Sequence, residues 1–399
     1  MLVVQKYGGS SVANAERIFN VAGRITETYD KGNDVVVILS AQGDTTDDLI
    51  EKAAEINPDA SRREMDMLLS TGEQQSVALM AMALNKMGYK AISLNAFQVG
   101  IETTPDYSVA KISKISDERI KKELAEKKIV LVTGFQGYNE YFDVTTLGRG
   151  GSDTSAVAIA AALKADLCEI YTDVDGVYTS DPRIVKDAQK MKEVSFDEMS
   201  ELASLGAKVL HTRSVEVAQK FGVNLVVRSS LTKAEGTVVK EGKDIMETVL
   251  VRGVASDKDV AKVVVKDVAN GTDKAFKIFS ALGKASVSVD MISQYPTENG
   301  TYTVEFTINK DDASVAVKAL NEAGYSNVTA ETGMAKVSIV GTGMATHPNV
   351  ACDMFEALAD ANIEVDFIAT SEIRISVLVA ESDVNAALVA LHDKFELGK

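Results

Sequence analysis

The sequence predicts an α/β fold: a first domain built on a mainly parallel sheet, followed by two smaller βαββαβ units. Three observations carry this. Short apolar runs alternate with stretches of helical periodicity from Leu2 to about Ser230. Those runs are continuous rather than alternating, which suits a sheet covered on both faces by helices. Beyond a charged linker the chain repeats itself, and a duplication implies two similar units packed together.

In chain order, LVVQKYGGSSV (Leu2 to Val12) reads as a buried strand ending in a glycine turn. A helix follows from Ala15 to Tyr29, with Ile18, Val21, Ala22 and Ile25 at helical spacing. Val35 to Leu39 is a second buried strand, opening into the polar turn SAQGDTTD and another helix. Arg62 to Met87 reads as one long helical stretch, and Ala91–Phe97 and Ile129–Gly137 as strand-then-turn units. Cys168 to Val185 repeats the pattern, with a strand ending near Thr172 and an Asp-rich loop after it. A helix is expected over Val209–Phe221, then the strand NLVVRSS. The first domain should close near Gly236 to Gly242, where the chain is charged and strand-poor.

The stretch TTLGRGGSDTSAVAIAAAL, Thr145 to Leu163, stands out. Gly148, Gly150 and Gly151 allow positive φ and close approach to a ligand, and Ser152 to Ser155 include good capping residues. Ala156 to Leu163 is a strong helix former. The product is a helix N-terminus that favours an anion, with Arg149 beside it able to grip a carboxylate or phosphate through two hydrogen bonds. The polar clusters after Val4, Leu39, Thr133 and Ile170 also fall at strand carboxyl ends, where parallel sheets bind ligands.

Composition narrows the function. A net charge of −16 argues against nucleic acid as a partner. No apolar run is long enough to span a bilayer, and the N-terminus lacks signal-peptide character. The cysteines, Cys168 and Cys352, suggest reduced thiols in a cytoplasmic protein and make no zinc motif, and only three histidines are present. No metal ligands are assigned among the side chains.

The repeat aligns Lys277–Ser293 with Asp353–Ala369 without gaps; Phe279/Phe355, Leu282/Leu358 and Asp290/Asp366 are among the identical pairs. The first unit is complete as βαββαβ, with strands near Ala261–Lys266, Val287–Ile292, Thr301–Ile308 and Ser326–Thr332. The second runs out of chain before its fourth strand. Val249–Ala255 either completes it, so that the first unit is inserted in the second, or extends the main sheet. The expected domains are residues 1–240, 261–333, and 246–260 together with 334–399.

The ordered motifs KYGGSS (Lys6–Ser11), SAQGDTTD (Ser40–Asp47), Gly72–Glu73, TLGRGGSDTS (Thr146–Ser155), YTDVDGVYTSDPR (Tyr171–Arg183) and GAKVLH (Gly206–His211) resemble those of the aspartate kinases. In the second repeat GTGMATHP and TSEIRIS match as well. Gln42 and Thr212 depart from the usual Met and Pro, and no dehydrogenase domain follows, so the chain resembles the monofunctional type. The resemblance implies a three-layer amino-acid-kinase domain and two ferredoxin-like ACT domains. It implies transfer of the γ-phosphoryl group of ATP, with Mg2+, to the side-chain carboxylate of L-aspartate, the first step of lysine, threonine and methionine biosynthesis.

An ionised carboxylate needs no general base, which fits the scarcity of histidine. On this resemblance Lys6, Asp153 and Lys208 are catalytic. Lys6, Gly8, Gly9, Ser10 and Lys208 contact phosphate, while Thr172, Asp173, Tyr178, Asp181 and Arg183 lie on the adenine and ribose loop. Ser40, Thr46, Glu73, Arg149, Gly150 and Ser152 would hold the substrate, with Arg149 on the α-carboxylate; Thr46 reads equally as a helix cap. Lysine and/or threonine would act as effectors at Ser288, Asp290, Met291, Ile292 and Gln294, and at Ser371 and Glu372. Asp366, at the position of Asp290, is left with a structural reading. A homodimer or dimer of dimers through the ACT domains is expected. A kinase for another small carboxylate, or a sensor without activity, are the rival readings.

Overall fold

The computed structural model of the chain describes residues 1–206, 209–242, 250–342, 344 and 347–399. Two compact units divide it. The first comprises Met1–Val177, Lys190–Ser204 and Lys208–Ile245; the second comprises Tyr178–Gln189, Leu205–Ala207 and Met246–Lys399.

The first unit is built on an eight-stranded sheet. Its centre is Leu2–Tyr7, flanked in parallel by Asp34–Leu39 and Leu167–Thr172. Ile129–Thr133 and Ala91–Leu94 extend it on one side, and Leu225–Ser229 on the other, all parallel. Side chains alternate across it. Val35, Val37 and Leu39 meet Ile18, Val21 and Ile25 of the helix Ala15–Asp30, which Asn14 caps by accepting from the amide of Arg17. Lys6 points to the opposite face, where the helix Gly151–Leu163 packs almost wholly buried. The layers are helix, sheet, helix. A separate four-stranded sheet holds Ile101–Thr103, Ile112–Ile115, Gln136–Tyr138 and Val144–Thr146.

Three expectations are corrected here. The stretch Arg62–Met87 is two helices, Arg62–Leu69 and Thr71–Lys86. They meet at Ser70, whose carbonyl accepts from the Gln136 side chain at 2.9 Å. The helix expected from Val209 begins at Thr212, because His211 is extended. The strand-poor closing segment contains a strand, Thr237–Lys240, paired antiparallel to Leu225–Val227.

The second unit is a six-stranded sheet with four main helices, Lys274–Lys284, Ala313–Glu322, Asn349–Asp360 and Val384–Lys394. Two long strands, Gly253–Val268 and Val328–Val340, run through both repeats. Gly253–Asp257 pairs antiparallel with Lys336–Val340, and Val260–Val265 lies between Val304–Asn309 and Val328–Met334. The segment around Ala255 thus belongs to this sheet and does not extend the first; Val249 lies outside the described residues. Tyr178–Gln189 joins this unit through the amide of Val254, which donates to the carbonyl of Thr179 at 2.8 Å, and through Thr179 Oγ1 and His392 Nε2, 3.0 Å apart.

Candidate active site

The glycine loop forms a tight entry to a helix. Gly150 caps Gly151–Leu163 with φ +67°, and a Cβ on it would lie 2.2–2.4 Å from the His211 ring, so only glycine fits. Asp153 stands in the first turn, where the helix dipole favours a carboxylate. Its Oδ1 is 2.6 Å from Lys6 Nζ, with both side chains 12% exposed. Lys6 leaves the central strand on the helix side, and its ammonium curls back over Gly8, 3.6 Å from where a Cβ on that residue would be.

Two loops close against each other beside this pair. Gly9–Val12 forms one 3₁₀ turn, and a Cβ on Gly9 would meet the Ala41 carbonyl at 2.4 Å. Ser40 continues from its strand and donates its amide to Tyr7 at 3.2 Å. Glu73, 3% exposed, accepts from the amide of Ala41 at 3.0 Å through Oε1, while Oε2 has no hydrogen-bond partner among the described residues. Burial outweighs that amide and pushes the carboxyl up to about 7. Thr46 sits inside the helix Thr45–Ile56, and Asp44 holds the cap position, so the capping alternative for Thr46 falls away.

The structure therefore gathers Lys6, Gly8, Gly9, Ser10, Gly150, Ser152 and Asp153 around one strand end and one helix start. Arg149 lies in the loop entering that helix, exposed and without an ion pair among the described residues. Thr172 and Asp173 end the neighbouring strand, with Thr172 Oγ1 donating to Asp173 at 2.9 Å. Tyr178, Asp181 and Arg183 instead fall in the segment that packs with the second unit. There Arg183 doubles back onto Asp181 at 2.7 Å and holds that carboxyl below its usual range. Lys208 lies outside the described residues.

In the second unit Asp290 and Asp366 are both engaged. Lys336 Nζ is 2.6 Å from Asp290 Oδ2, and Lys262 Nζ is 2.8 Å from Asp366 Oδ2; Arg374 adds a second cation near Asp290 at 3.5 Å. Met291 is buried with Val260, Phe367 and Leu378, so its side chain joins the repeats and is closed to a ligand. Ser288, Ile292, Gln294, Ser371 and Glu372 are exposed.

Three residues of the first unit carry no assignment from sequence. His211 backs Gly150, and burial depresses its pKa. Asp66 and Arg213 fasten the glycine loop from outside the site. For His211 the signal was its place in GAKVLH. For Asp66, one acid in RREMDMLL, nothing distinguishes it from a surface residue.

Comparison with known proteins decides the family. Residues 1–229 match the amino acid kinase family, and residues 263–323 and 337–395 match the ACT domain. The aspartokinase of Bacillus sp. (strain MGA3) is 50% identical over 400 residues, covering 99% of this chain and 97% of that protein. The chain belongs to the aspartokinase family. It is an enzyme, a phosphotransferase with a carboxyl group as acceptor. The fold agrees with E. coli aspartokinase III in complex with aspartate and ADP, at TM-score 0.85, 25% identity and 99% coverage of each chain. The same E. coli protein in complex with lysine and aspartate superposes at TM-score 0.76 and 24% identity, again over 99% of each chain. Among the described residues no helix is long and apolar enough to cross a membrane.

Proposed function

We propose that this chain transfers the γ-phosphoryl group of ATP to the side-chain carboxylate of L-aspartate, giving 4-phospho-L-aspartate at the head of lysine, threonine and methionine biosynthesis. The observation that carries the reading is the Lys6–Asp153 pair at the start of a glycine-entered helix, with the uncommitted Arg149 beside it. Lys6 steadies charge on the transferring phosphoryl group, and the turn Gly8–Ser10 offers amides to phosphate. Lys208 is assigned the opposite side of the phosphates. Arg149 clamps the α-carboxylate of aspartate; Ser40, Thr46, Gly150 and Ser152 are assigned to the same substrate. Glu73, half-protonated near neutrality when empty, ionises against the substrate ammonium. Thr172, Asp173, Tyr178, Asp181 and Arg183 are assigned to the nucleoside. Mg2+ would neutralise phosphate charge, held mainly by phosphate and water, with the Asp153 carboxylate the candidate protein ligand.

The domains are taken as residues 1–240, 261–333, and 246–260 with 334–399; the pairing of Gly253–Asp257 with Lys336–Val340 supports the insertion. Lysine and/or threonine are read as feedback effectors of the ACT pair, and a cytoplasmic homodimer or dimer of dimers as the working form. A coupled assay for ADP with aspartate, glutamate and acetylglutamate side by side, with and without lysine and threonine, tests this. Turnover confined to aspartate is expected. Faster turnover of either other acid would overturn the substrate assignment, and indifference to both amino acids the effector assignment.

A further inference from the structure

We infer that Asp66 is a positioning residue for the substrate: it sets where Arg149 stands, a role that rests on the reading of Arg149 above. Asp66 is 0% exposed and accepts four hydrogen bonds. Its Oδ2 takes the amides of Ser108 and Thr146, each at 2.8 Å. Its Oδ1 takes the Ser108 and Thr146 hydroxyls at 3.1 and 2.8 Å. One buried carboxylate thus grips two backbone segments by an amide and a hydroxyl each. Charge-assisted bonds to backbone amides in a buried setting are strong, and removing the acceptor strands the donors.

What is gripped matters. Thr146 ends the strand Val144–Thr146, and the next residues are Leu147, Gly148 and Arg149. Ser108 is held at φ +69°, a conformation that costs a non-glycine residue energy, and its carbonyl lies 2.9 Å from where a Cβ on Gly148 would be. The Ser108 segment is therefore the wall against which the glycine loop folds. A second anchor of opposite sign completes it: Arg213 donates to the carbonyls of Leu147 at 2.9 Å and Ala110 at 2.7 Å. The helix bearing Asp66 runs through Ser70 into the one bearing Glu73, whose carboxylate is fixed on Ala41. One continuous stretch of chain thus ties the Arg149 loop to Glu73, the groups assigned to the α-carboxylate and the ammonium of the amino acid. A shift of about 1 Å in such a contact costs up to about 10²-fold.

The test is a kinetic double-mutant cycle on the full chain. Asp66→Asn keeps the volume but turns an amide group toward donors. We expect it to raise the KM for aspartate about 10-fold, to leave the KM for ATP within about twofold, and to add nothing once Arg149→Ala is present. A merely structural role would raise both KM values together, or would multiply with Arg149→Ala; either result overturns the inference while leaving the substrate reading intact. If Arg149→Ala alone leaves the aspartate KM unchanged, the substrate reading fails and this inference falls with it. Should Asp66→Asn not fold, Thr146→Val and Ser108→Ala each delete one hydroxyl donor. Each should raise the aspartate KM about 3-fold, again only when Arg149 is present, and no change in either variant would refute the role.

Discussion

Both units bury a lysine against an aspartate, and they differ in what is left over. At Lys6–Asp153 the two partners are equally shielded, and the same unit keeps unspent capacity: the exposed Arg149, and Glu73 Oε2, which has no hydrogen-bond partner among the described residues. In the repeats the lysines are the shielded partners, Lys336 and Lys262 at 7% and 9%, and the aspartates stand 39% and 38% exposed. There each aspartate follows the helix of one repeat and each lysine sits on a central strand of the other, so the two pairs are related by the duplication. The first arrangement is the one we propose for a ligand; the second joins the two repeats. A buried pair is evidence of a site only when its neighbourhood holds charge that the fold itself does not satisfy.

The sharpest way to break this contrast is Lys6→Ala. Removing a preorganised charge from a transferring group typically costs about 10²-fold or more in kcat, and we expect that loss here, with some loss of stability as well because Asp153 is left shielded and unpaired. Near-normal turnover would make Lys6–Asp153 a structural pair like those in the repeats. Arg149→Ala comes next: the KM for aspartate should rise by about 10²-fold while that for ATP moves little. Equal effects on the two substrates would remove Arg149 from the carboxylate.

Glu73 sharpens the comparison through pH. Its folded carboxyl is raised to about 7, from an ordinary value near 4.5, because burial opposes the charged form. The folded state then binds more protons than the unfolded state between those values, so this group lowers stability as pH climbs from about 4.5 through 7. Aspartate binding, which needs the ionised form, should strengthen over the same rise. The aspartate KM should fall up to about 10-fold from pH 6 to pH 8, and Glu73→Gln should flatten both that profile and the matching stability profile. A profile unchanged by Glu73→Gln would show that another group titrates.

The main sheet was legible because its strands are unbroken apolar runs, a pattern that a doubly covered parallel sheet imposes. The strand Thr237–Lys240, second from one edge of the sheet, was not, since TVVK alternates in burial and sits among charges. The sequence places the end of the long shared strand Val328–Val340 near Thr332; Gly333 takes φ +88°, yet the strand continues past it. In the candidate site, Lys6 is proposed from a motif at a strand end, Asp153 from the glycine-entered helix start and Glu73 from the Gly72–Glu73 motif. Asp66 could not be found this way, because its partners Ser108 and Thr146 lie 42 and 80 residues away, and only the folded chain shows that the carboxylate is buried. Tyr178, Asp181 and Arg183 illustrate the converse: the DPR turn satisfies itself through Arg183 and Asp181, so a motif drawn as one loop is divided between two compact units.

The smallest effect tests the fastening role of the repeat pairs. Deleting the lysine leaves a half-exposed carboxylate that water can solvate, so Lys336→Met should cost about 1 kcal/mol or less. Deleting the aspartate strands an ammonium in a buried place, so Asp290→Ala should cost about 2 kcal/mol. Lys262→Met should repeat the small loss, since Asp366 is as exposed as Asp290, whereas Asp366→Ala should cost less than Asp290→Ala because Glu305, 3.8 Å away, still faces Lys262. Chemical denaturation of the four variants measures these losses. If the lysine deletions prove the costlier in both repeats, the carboxylates depend on their partners more than the lysines do, and these pairs become the places where an incoming ammonium could displace a lysine.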